Sequence, residues 1–126
     1  MPAFPDGFAE GVRRFNQGEY FEAHEAFEEL MESVEEDQRW DLLVALVQVA
    51  VGYHKCASGH PGGERMLRLG AGKLAAFPAL AWGVDVGALR ARVADDVAFL
   101  AGGDDLGARL AADPPRIVVR AGARSG

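Results

Sequence analysis

Phe15-Asn16-Gln17-Gly18-Glu19-Tyr20-Phe21-Glu22-Ala23-His24-Glu25-Ala26-Phe27-Glu28-Glu29-Leu30 joins two helical patterns across one glycine and sets a histidine among aromatic side chains. Gly18 supplies the stop, because glycine enters the left-handed backbone that ends a helix without a Cβ clash. From about Glu19 to Val34, Tyr20, Ala23, Phe27, Leu30, Met31 and Val34 recur at three- and four-residue intervals, with Glu22, Glu25, Glu29 and Glu32 around the other side. That is a helix with one buried stripe. At about 100° per residue His24 falls within the stripe, near Tyr20, Phe27 and Met31, and Glu28 lies about 40° off it. His24 is therefore expected to face the core, with a carboxylate one turn later close enough to touch the imidazole.

Upstream, Pro5-Asp6 opens a helix to about Gln17 whose Phe8, Val12 and Phe15 share a face. Downstream, the segment from about Asp37 to Ala57 is apolar nearly all round through Trp40 to His54, as expected of an element surrounded by others. Its valines would also suit a buried strand, but its length favours a helix. The turn cluster Ser58-Gly59-His60-Pro61-Gly62-Gly63 precedes a fourth helix to Phe77. A loop through Trp82-Gly83-Val84 leads to a fifth helix, about Asp85 to Ala101, with Asp85 as its cap. A short helical turn over Asp105 to Ala111 follows. The expected architecture is all-α: one compact bundle of about five helices over residues 1–115, then a short extended C-terminal tail over 116–126 whose final six residues are expected to be disordered.

The chain's 126 residues suit one domain. No apolar run approaches the ~20 residues of a membrane helix, and Met1 to Asp6 lacks the charged and apolar regions of a secretory signal, so no membrane association and a cytoplasmic location are the expectations. The one cysteine, Cys56, ends an apolar segment and reads as a small buried thiol. Residues 1–37 hold two basic and eleven acidic side chains, net −9, whereas the rest is net +3. An acidic chain without a dense basic stripe is a poor match for phosphate backbones, so no nucleic acid is expected. Trp82, Phe77 and Ile117-Val118-Val119 exceed the apolar needs of a five-helix core, which points to a homo-oligomer, and the acidic amino-terminal half suits a protein partner.

Phe15-Asn16-x-Gly18-x-Tyr20-Phe21-Glu22-Ala23-His24-Glu25 with Glu28, then Gln48-x-Ala50 and His54, then Gly62-Gly63 before Leu67, closely resembles the family called domain of unknown function 309, over about residues 8 to 80. Phe27 and Met31 depart from it, since a tryptophan is expected near one of them. The resemblance implies a compact helical bundle with no established activity.

Two readings of the polar residues follow. In the first, His24, Glu25, Glu28, Gln48 and His54 are binding or polar-network residues of a non-catalytic binding or structural module. A buried imidazole and the Gln48 amide both require hydrogen-bond partners, and a network among them would supply these without a cofactor. In the alternative, His24, Glu28 and His54 ligate a divalent metal ion in a hydrolase-like enzyme. His24-Glu25-x-x-Glu28 is not the zinc-protease motif, which has a second histidine at the last position, and no glutamate stands three residues before a histidine as a di-iron bundle requires. His60, beside Pro61, reads as a turn residue.

Overall fold

The computed structural model describes residues 4–34 and 38–120. The expected disorder of 121–126 lies outside the described residues. Those described form α1 (Phe8–Asn16), α2 (Tyr20–Met31) with a 3-10 turn (Glu32–Val34), α3 (Gln38–Ser58), α4 (Gly63–Leu74), β1 (Leu80–Ala81), β2 (Val84–Asp85), α5 (Val86–Ala101) and α6 (Gly107–Ala112). The fold is mostly helical, as the periodicity requires. α3 is central, with α2 and α4 packed against it, α1 against α2 and α5 against α4. Leu42, Leu43, Ala45, Leu46, Val49, Ala50 and Tyr53 of α3 are fully buried.

Gly18, at φ +84°, closes α1 as expected. Its N–H donates to the Phe15 carbonyl at 3.0 Å and that of Glu19 to Arg14 at 2.9 Å, so carbonyls at the helix end find partners while the chain reverses into α2. α4 ends at Leu74, three residues before the expected Phe77. Pro78 forces the residue before it out of helical backbone, and the end tightens into i→i−3 bonds, Ala76 N–H to Lys73 and Phe77 N–H to Leu74.

The loop expected through Trp82 is instead the turn of a hairpin, with Leu80 opposite Asp85 and Ala81 opposite Val84. Trp82 and Gly83 both have positive φ, +48° and +82°, the backbone of a two-residue turn that matches the strands' twist. Asp85 caps α5 as expected, accepting from Ala88 N–H at 2.9 Å.

The segment from Ile117 is tied into the bundle. Asn16 accepts from Ile117 N–H at 2.7 Å and donates to the Ile117 carbonyl at 3.0 Å, while Val119 bridges Val84. Ile117 is buried, and Phe77 and Trp82 pack half-buried against the core. Much of the apolar surface from which self-association is expected is therefore used within the chain.

Candidate functional site

His24 lies on the second turn of α2, 17% exposed at its side chain, at the edge of the core and not inside it. Its Nδ1 is 2.7 Å from the carbonyl oxygen of Phe21. A carbonyl only accepts, so Nδ1 carries the proton and donates. Nε2 is thereby left toward Glu28, whose Oε1 is 3.7 Å away, beyond a hydrogen bond and within ion-pair range once the ring is charged.

Phe21, one turn before His24, is 44% exposed and packs its ring against two imidazoles, His24 at 5.0 Å and His54 of α3 at 5.3 Å between centroids. The end of α3 brings in the third. Gly59, in left-handed backbone, turns the chain so that His60 N–H donates to the Lys55 carbonyl at 2.9 Å, and the His60 ring comes to rest 6.4 Å from His54 and within 25° of parallel. Phe21, His24, Val51, His54, Lys55 and His60 line one cleft of about 290 Å³. His60, which reads from sequence as a turn residue, thus joins the candidate site.

The other sequence candidates do not close a buried network with His24. Glu28 is 58% exposed, and Glu25 is exposed over a separate acidic depression with Glu10, Arg14, Glu22 and Glu29. Arg14, in the wall of that depression, pairs with Glu10 and Glu19, both at 2.8 Å. Gln48 is expected from sequence to join a network with His24, yet its buried Oε1 has no hydrogen-bond partner among the described residues. It stands one turn before Val51 on the face of α3 that carries Lys55. Among the described residues no three of His, Cys, Asp and Glu are grouped as a metal ion requires. Cys56 is half-buried and burial pushes its thiol up, which keeps it protonated.

A buried polar network exists elsewhere, and the sequence reading missed it. Asp96 of α5 has no exposure. It accepts from the Tyr53 hydroxyl at 2.5 Å and from Arg92 Nε at 2.9 Å, both at Oδ2, while Arg109 Nε lies 2.9 Å from Oδ1. That last approach is an ion pair too poorly aligned to count as a hydrogen bond. Arg92 also donates to the Asp113 carbonyl, and Arg109 pairs with Asp95. The signal was present: Asp96 stands seven residues after Leu89 and three after Val93, within the buried stripe of α5, where a carboxylate without partners is prohibitively costly.

A larger groove of about 490 Å³ lies between the start of α3, the end of α4 and the hairpin, with Asp41, Lys73, Phe77, Leu80 and Trp82 in its walls. Among the described residues no helix is long and apolar enough to cross a membrane. No curated protein sequence matches the chain. Residues 8–67 match the model of the family described as domain of unknown function (DUF309), a stretch that spans the glycine stop after α1, the whole of α2 and α3, and each of the three histidines.

Proposed function

We propose that the protein is a non-catalytic binding module whose recognition site is the cleft of Phe21, His24, His54, Lys55 and His60. The observation that carries this reading is the convergence of three imidazoles from α2, α3 and the loop after α3 on one cleft with a half-exposed aromatic ring. Polar groups converging in a concave, partly apolar site are what a small-ligand site requires. The larger groove is the competing location, and the family match favours the smaller one. Every residue lining the histidine cleft lies within residues 8–67, whereas Lys73, Phe77, Leu80 and Trp82 lie beyond them. Glu28 acts here as the outer partner of His24.

The test is a fragment screen of the full chain followed by the nuclear magnetic resonance signals of its imidazoles and indoles. Binders are expected to move His24, His54 and His60 together. Hits that gather on Trp82 and leave the histidines unmoved would place recognition in the other groove and refute the assignment.

A further inference from the structure

Resting on that reading of the cleft, we infer that its ligand is a small oxyanion, a phosphate or a carboxylate, held by the Lys55 ammonium and the imidazole N–H groups. The charge pattern carries the argument. The chain is net −6 and α2 is dense in glutamate, yet none of the six side chains lining this cleft is acidic. Four of them, His24, His54, Lys55 and His60, are positive or become so on protonation, and charged donors make the shortest and strongest hydrogen bonds to such oxygens.

The end of α3 is the opposing influence, since its carbonyls carry a partial negative charge that disfavours an anion. Two of them are already engaged, His54 by the Ser58 hydroxyl at 2.8 Å and Lys55 by His60 N–H. The charged groups facing the imidazoles are Lys55 from α3 and Glu28 from α2, with His60 alone from the loop.

pH separates an anion site from a metal site. Histidine gains its charge between about pH 8 and pH 5, so oxyanion binding strengthens as pH falls, whereas a metal needs neutral imidazoles and binds more tightly as pH rises.

The experiment titrates the labelled full chain with inorganic phosphate, with acetate and with zinc chloride, at pH 6 and at pH 8, following the imidazole signals. Phosphate or acetate is expected to move all three histidines, more tightly at pH 6. Lys55→Gln is expected to weaken this roughly tenfold, the loss of one charge-assisted contact, with an unchanged melting temperature. His60→Asn, in the exposed loop, should do likewise and guards against a Lys55 variant that folds poorly. Phosphate binding ahead of acetate assigns a phosphoryl ligand, and the reverse order a carboxylate. Zinc moving the imidazoles where neither anion does overturns the oxyanion class and leaves the binding reading standing. Silence from all three probes overturns the inference, and fragment hits confined to Trp82 would overturn the binding reading with it.

Discussion

Asp96 is a carboxylate without exposure, held by a tyrosine hydroxyl and two arginines that come from three different elements. Replacing it removes a partner from each at once. The Asp96→Ala chain is expected to lose about 3–5 kcal/mol, because Arg92 and Arg109, 18% and 29% exposed, lose the buried carboxylate they share and keep only the exposed Asp113 and Asp95 as counter-ions. Tyr53→Phe removes one neutral donor and should lose less, about 1–3 kcal/mol. Urea unfolding followed by circular dichroism measures both. An Asp96→Ala chain within about 0.5 kcal/mol of the parent, the range of ordinary surface changes, would show that the network does not hold the core. Asn16 illustrates the same scale. Its side chain belongs to the motif that carries the family resemblance, and in the structure it clamps Ile117 through two hydrogen bonds.

Between elements, the closest contact that depends on small residues is α3 against α4. A Cβ on Gly70 would stand 2.6 Å from Val49 Cγ2 and 3.2 Å from Val49 N, and one on Gly63 would stand 2.5 Å from Cys56 Sγ and 3.0 Å from the Gly52 carbonyl. Because backbone atoms are among those met, side-chain rotation cannot relieve the clash. Gly70→Ala is expected to destabilise by about 1–3 kcal/mol despite alanine's better helix propensity, which on an exposed face would add up to ~1 kcal/mol. A raised melting temperature would mean that α4 shifts freely on α3. Gly72, where a Cβ would meet nothing within 4 Å, serves as the control on the same helix. Helix periodicity made α1, α2, α4 and α5 legible, since each carries its own stripe, the length of its apolar run did so for α3, and the Asp85 cap was legible because a cap is a local device. The hairpin was not: Trp82 in left-handed backbone is stabilised by its rings' contacts with Phe4 and Phe77, which no local pattern encodes. The candidate site was half legible for the same reason. His24 with Glu28 is an i, i+4 pair on one helix, whereas the approach of His60 to His54 depends on how the chain turns at Gly59.

Across the whole molecule, the two tyrosines connect most of the elements. Tyr20 of α2 and Tyr53 of α3 lie 5.5 Å apart between ring centroids and both pack on Phe15 of α1, and Tyr53 reaches α5 through Asp96 and α6 through Arg109. Burial pushes the Tyr20 hydroxyl up to about 12, with nearby Arg92 working against the rise and Asp96 adding to it. Burial and the hydrogen bond to Asp96 push Tyr53 higher still. Both groups bind their protons more tightly folded than unfolded, where tyrosine titrates near ~10. Their contribution to stability is therefore complete below about pH 10 and is lost as pH rises from there toward about 12 for Tyr20 and beyond for Tyr53. Because the chain contains no other tyrosine, phenolate absorbance reports these two alone. It is expected to rise in one cooperative step above pH 10, coincident with the loss of helical circular dichroism and reversed on returning to neutral pH. Two gradual single-proton transitions near pH 10 with the helices intact would mean that the hydroxyls reach water in the folded state, and that the aromatic cluster does not bind α1, α2, α3 and α5 into one cooperative unit.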